Sequence, residues 1–123
     1  DTVSKVIQIS PLEVVKNSSK LHKLVDLPSE LFNPYRLLIL NDLYRIGFQS
    51  FTQLKESTGV SSDGNLASHL RYLEKHNLIV VTKSFAGKYP KTFYELTDAG
   101  KTTVELLVVG LDAYLSCLKS DEK

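Results

Sequence analysis

FTQLKESTGVSSDGNLASHLRYLEKHNLIVVTKSFAGKYPKTFYELTDAGK, residues 51–101, is the stretch whose reading decides the fold. Ser50, just before it, and Gln53 have the spacing of a capping box, in which two free helix-end donors are satisfied reciprocally. The helix they open spans residues 51 to about 57, with Phe51 and Leu54 facing inward. Gly59 ends it, and Val60 can plug the turn into the core. Ser61 or Ser62 caps a second helix, with Asp63 in its first turn. Leu66, Leu70 and Leu73 form its apolar stripe, at helical spacing. Asn77 can take the left-handed position that stops it. Residues 78–82 are rich in β-formers and read as a strand, 84–91 as a loop and 92–96 as a returning strand. Thr97 caps a last helix over residues 98 to about 119.

Upstream, residues 1–10 read as extended, and Ser10-Pro11 can start a helix carrying Leu12, Val15, Leu21, Leu24 and Val25 until Pro28 stops it. Asn33-Pro34 is a stronger start. Leu37, Leu38, Leu40, Leu43 and Ile46 follow, and Gly47 supplies the stop, which predicts a helix buried from two sides. Phe48-Gln49 reads as a very short strand. The expected fold is mainly α with a small β-hairpin. Residues 1–28 form a helical extension, 29–101 the central domain and 102–123 a C-terminal helix, in one compact domain overall.

The surface left by this arrangement carries the functional signal. With Leu66, Leu70 and Leu73 turned to the core, at about 100° per residue, the opposite side shows Gly64, Ser68, Arg71 and Lys75, with Asn65 and Tyr72 on the flank. Arg can bind guanine in bidentate fashion, Asn adenine, and Ser several base edges or a phosphate. The helix start at Ser62 and Gly64 allows close backbone approach, and its free amides favour a phosphate. Asp63 is the awkward residue there, as cap or as acceptor from cytosine. Lys83, Lys88 and Lys91 lie around the loop that holds Gly87 and Pro90, and lysines on a loop suit phosphates. Tyr89 and Phe85 can reach a minor groove or a sugar, or pack on their own hairpin.

The net charge is only +1, yet between Leu66 and Tyr94 five basic residues face a single acidic one, Glu74. The positive field is therefore local. This layout is that of a winged helix-turn-helix, in which one helix enters a DNA groove and a hairpin reaches the neighbouring backbone.

The run from Leu31 to Lys101 resembles the winged-helix transcriptional regulators of the MarR/ArsR type, especially small prokaryotic and archaeal ones. The segments that carry the resemblance are NPYRLLIL (33–40), FTQLK (51–55), DGNLASHLRYLE (63–74) and PKTFYELTDAG (90–100). It implies a compact domain whose second helix-turn-helix helix enters the major groove of double-stranded DNA. One departure is the turn at residues 59–63, a residue longer than in many relatives. The segment before about Pro28 has no clear counterpart.

In the last helix, Val104, Leu107, Leu111, Tyr114 and Leu118 follow a heptad seam, which Val108 and Leu115 widen. The natural partner is the same helix of a second copy, giving a two-fold homodimer; packing on the N-terminal helix of the same chain is the competing reading. Cys117 beside the seam is the only cysteine, which excludes an internal disulfide and fits a reducing, cytoplasmic setting. His22, His69 and His76 show no metal-ligand spacing, so no metal and no cofactor is expected.

With 42% apolar and 24% charged residues the composition is that of a soluble globular chain. No apolar run approaches the roughly 20 residues a bilayer needs, and no signal peptide is visible. The chain lacks Met, so the initiator is absent or trimmed. There is no glycine loop for nucleotides and no base beside Ser61 or Ser62, which argues against an enzyme. The expected function is sequence-specific, dimeric transcriptional regulation. An architectural DNA binder or a protein-contact winged helix is the alternative. A small-molecule effector has no sequence feature behind it.

Overall fold

A computed structural model describes residues 19–119. Those residues contain five α-helices and one three-stranded antiparallel sheet, in two units. The expected helix start at Ser10-Pro11, its residues Leu12 and Val15, and the tail after Lys119 lie outside them.

In the unit formed by the N-terminal residues through Ser29 and those from Glu105 onward, helix α1 covers residues 19–25. The chain leaves it just ahead of Pro28, as the sequence predicts. Leu24 lies so close over Gly110 that an added Cβ there would sit 2.5 Å from its side chain. Leu27, Leu107 and Ala113 are buried.

The unit Glu30–Val104 begins beside a 3-10 turn, Ser29–Leu31. Helix α2 (Pro34–Arg45) follows, with the Asn33 side chain accepting from the Tyr35 and Arg36 amides. Pro34 at its first position needs no donor. Gly47, at φ 92°, releases the chain into strand β1 (Gln49–Ser50). The capping box forms as the spacing predicts. The Ser50 amide donates to Gln53 Oε1 at 2.8 Å, and the Gln53 amide donates to Ser50 Oγ at 3.2 Å. Helix α3 (Phe51–Thr58) ends at Gly59 in the left-handed conformation, φ 72°, and Val60 drops into the core. Ser62 caps helix α4 (Asp63–Lys75) by accepting from the Asn65 amide.

Leu66, Leu70 and Leu73 of α4 are buried, together with Leu31, Ile39, Leu40, Leu43 and Leu54. Asn77 takes φ 60° and turns the chain into strand β2 (Ile79–Ala86), which pairs with β3 (Tyr89–Leu96) along its length. The sheet order is β1-β3-β2. The expected eight-residue loop at 84–91 is thus a two-residue turn, Gly87-Lys88, with Gly87 at φ 68°. Cross-strand pairing carried the strands further than the sequence suggested. Pro90 fits near the start of β3 because β1 pairs β3 only at Phe93 and Tyr94, so the far edge at Pro90 is open. Helix α5 is Asp98–Lys119.

Two local devices hold α4. Thr97 Oγ1 donates to the Asn77 carbonyl at 2.6 Å and accepts from the Gly100 amide at 2.9 Å, tying the end of α4 to the start of α5. Gly100 lies against the Leu78 carbonyl, where any Cβ would collide. On the other side, Arg36 of α2 clamps α4. Its Nε donates to His69 Nδ1 at 3.2 Å, its Nη1 donates to the Glu30 carbonyl at 2.6 Å, and its guanidinium lies 3.8 Å over the Tyr72 ring. Burial, and then the Arg36 charge, push the His69 imidazole below its usual range.

Gly100→Ala should therefore lower stability by about 2–3 kcal/mol, read as a lower thermal midpoint; an unchanged midpoint would show that the backbone yields freely there. His69 gives a pH prediction. The unfolded imidazole, near 6.5, takes a proton more readily than the folded one. The contribution of His69 is complete above that value and is lost as pH falls toward the lower, folded value. His69→Gln keeps an acceptor for Arg36 but cannot titrate, so it should flatten the thermal midpoint between about pH 7 and pH 5. A fall parallel to wild type would remove His69 as the cause.

Candidate nucleic-acid interface

Burying one side of α4 exposes the other. Gly64, Asn65, Ser68, Arg71 and Lys75 are all exposed. Ser62 is exposed too, although its hydroxyl already accepts the Asn65 amide. Asp63, the awkward carboxylate at this end, is held by Lys55 Nζ of α3 at 2.6 Å. Both side chains are well exposed, so the pair adds little stability. Its effect is electrostatic: it neutralises a negative charge where the helix start would meet a phosphate.

Tyr72 is placed differently from the other residues of the set. It is half-buried, with Arg36 over its face and the His76 ring 4.4 Å from its own. Its hydroxyl is buried without a hydrogen-bond partner. Burial, then the nearby Glu30 carboxylate, push that phenol up. Tyr72 holds the helix in place and offers an incoming molecule little surface.

The hairpin brings Lys83 to Arg71. The two line a cleft of about 250 Å³ between α4 and the sheet, together with Ala67, Leu70, Glu74, Val81, Thr92 and Tyr94. The Tyr94 phenol is pushed up by burial first and by Glu74 second, so it stays protonated and can donate. Lys88 sits in the turn, exposed. Lys91 and Tyr89 are also exposed, on strand β3 rather than on a loop.

The arrangement therefore brings Arg71 and Lys83 to one cleft, with Ser68 and Lys75 exposed on the same helix as Arg71, whereas Tyr89 and Lys91 belong to the hairpin's outer part. Sequence reading assigned no role to Lys55 or Arg36. Their partners are 8 and 33 residues away, and no local pattern announces such pairs.

On α5, Val104 and Leu107 are buried within the chain, so they leave a partner little to cover. Val108, Leu111, Tyr114, Leu115 and Leu118 are exposed. Cys117 is half-buried. Among the described residues no His, Cys, Asp and Glu cluster could hold a metal ion, and no helix is long and apolar enough to cross a membrane.

Residues 35–115 match the family model described as a winged helix DNA-binding domain. Among solved structures, the chain is similar to a transcriptional regulator homologue protein from Pyrococcus horikoshii OT3. The two are 31% identical with a TM-score of 0.68, over 81% of this chain and 97% of that one. It shares its fold with BpsR of Bordetella bronchiseptica, whose DNA binding is regulated by 6-hydroxynicotinic acid (17% identity, TM-score 0.59, 81% and 76% covered). It also shares it with diamide-treated YodB of B. subtilis (20% identity, TM-score 0.57, 89% and 94% covered). No curated protein matches the chain. A helix-turn-helix with a basic exposed face, a β-hairpin behind it and a family match over most of the chain lead to one assignment: the chain belongs to the winged helix DNA-binding domain family of transcriptional regulators, which act by binding and not by catalysis.

Proposed function

We propose that the protein is a dimeric, sequence-specific regulator of the MarR/ArsR type that binds double-stranded DNA in the cytoplasm. Helix α4 lies in the major groove and the β-hairpin meets the backbone and minor groove. The observation that carries this is the exposed row Gly64, Ser68, Arg71 and Lys75 opposite the buried leucines. Arg71 forks onto guanine, Asn65 onto adenine, and Ser68 takes a base edge or a phosphate. Lys75, Lys83, Lys88 and Lys91 take phosphates, which position the protein without reading sequence. An architectural binder would need a basic excess well above the net +1 of this chain.

The dimer reading draws on α5. Val108, Leu111, Leu115 and Leu118 alternate by three and four residues and are all exposed, a ready heptad seam. Two copies related by a two-fold axis would read two half-sites of a palindrome.

NadR has been solved in complex with 4-hydroxyphenylacetate, and 6-hydroxynicotinic acid regulates BpsR. At 17% identity both are likenesses of fold, and the proposal assigns this chain no effector.

The deciding experiment is a competition titration of promoter fragments from the source genome against random duplex at two salt concentrations. A fragment still preferred at the higher salt supports a sequence-specific regulator. Equal, strongly salt-sensitive binding to every duplex would make it architectural. Arg71→Ala should cost about 1–3 kcal/mol at the preferred fragment and relax its sequence preference, whereas Lys91→Ala should weaken all duplexes alike and lower the salt slope by about 1. Wild-type binding by both variants would move the surface elsewhere. Leu115→Glu should sediment as a monomer; a persisting dimer would place the interface off α5.

A further inference from the structure

We propose that Phe85 is an apolar wedge that enters the minor groove next to the major-groove site of α4. The proposal rests on the reading of α4 and the hairpin as the DNA-binding surface, and adds a residue that reads by shape.

The hairpin register decides which side chains turn toward α4. Pairing runs without a bulge from Ile79↔Leu96 to Phe85↔Pro90, so residues two apart share a face of the ribbon. Val81, Lys83, Thr92 and Tyr94 line the cleft beside Arg71, which identifies the α4-facing side. Phe85 and its partner Pro90 continue that side outward. Lys91 and Tyr89 alternate onto the opposite side with Phe93, whose ring stacks on Phe48 at 4.6 Å. Two aromatic residues stand exposed at the tip, Phe85 at 73% and Tyr89 at 77%. Only Phe85 projects on the side of Arg71.

Reach and chemistry agree with this placement. A strand rises about 3.3 Å per residue, so Phe85 stands roughly 7 Å beyond Lys83 along the hairpin. With Arg71 at base edges and Lys83 at the intervening phosphates, the next feature outward is the minor groove, about 6 Å wide. Phe85 has no hydrogen-bonding group, so it acts by insertion against a base step, the way apolar side chains kink duplexes. Lys83 and Lys88 flank it and suit the phosphates on the groove walls. Pro90 opposite, with its fixed φ, stiffens the support. The wedge favours steps that unstack easily, pyrimidine followed by purine.

The test uses the full chain and a duplex enriched from a random pool by the wild type, with 2-aminopurine placed in turn at each position flanking the protected bases. Wild type should raise 2-aminopurine fluorescence at one flanking step. Phe85→Ala should abolish that rise and weaken binding roughly tenfold with the salt slope kept. Phe85→Leu should keep part of the rise, and Tyr89→Ala all of it. Phe85 lies outside the core, so equal thermal midpoints confirm that the variants are folded. Wild-type affinity and fluorescence in Phe85→Ala, or loss of the signal in Tyr89→Ala, would overturn the wedge while leaving DNA binding intact. Failure of the wild type to enrich any duplex would overturn the DNA-binding reading and the wedge with it.

Discussion

Three leucines, Leu66, Leu70 and Leu73, set the rotation of helix α4 about its own axis, and the proposed DNA-binding surface follows from that rotation. Each side chain, fully buried, contributes about 1.5–3 kcal/mol relative to exposure. Turning the helix by one residue, about 100°, would bring these leucines toward water and carry polar residues toward Leu54, Ile39 and Leu40. The exposed row of Gly64, Ser68, Arg71 and Lys75 is thus held by the cost of uncovering the opposite side. Its precision comes from the core, since among the described residues the side chains of Ser68, Arg71 and Lys75 make no hydrogen bond or ion pair that would fix them.

Two cations act at the rims of that core, and both are occupied by the protein itself. Arg36 holds the middle of α4 through His69 and Tyr72, and Lys55 holds its start through Asp63. A guanidinium suits the first task because it is planar: it stacks on a ring and donates in its own plane at once. An ammonium suffices for the second, where a single carboxylate has to be neutralised. The Tyr72 hydroxyl, buried without a partner, shows what the clamp costs. The ring is placed for its contact with Arg36 at the expense of its polar end.

What the sequence made legible was local. Caps at Asn33, Ser50, Ser62 and Thr97 and left-handed stops at Gly59 and Asn77 each depend on residues within a turn, and all were readable from spacing. The buried stripe of α4 was readable for the same reason. The hairpin was legible but its length was not, because nothing within residues 84–91 states how far the two strands will pair along the register that begins at Ile79 and Leu96. Tyr72 lies on the flank of the helix, half-buried, but its stacking under Arg36 was not readable because that partner is on another helix. On α5 the heptad pattern was plain, but periodicity cannot separate side chains used inside the chain, Val104 and Leu107, from those left outside it.

The charge balance limits how such a surface can work. With 15 basic and 14 acidic residues the chain as a whole offers DNA almost no net attraction. Of the two cations nearest the helix start and middle, Lys55 is taken by Asp63 and Arg36 by a backbone carbonyl and an imidazole. The cations left exposed around the cleft and hairpin are few, and each phosphate neutralised releases about one counterion's worth of binding free energy. In the proposed reading, non-specific affinity is therefore modest, and discrimination would rest on contacts made only at a fitting sequence: the fork of Arg71 on a base edge and the fit of the hairpin to the groove beside it. A chain with a larger basic excess would bind more tightly and distinguish less.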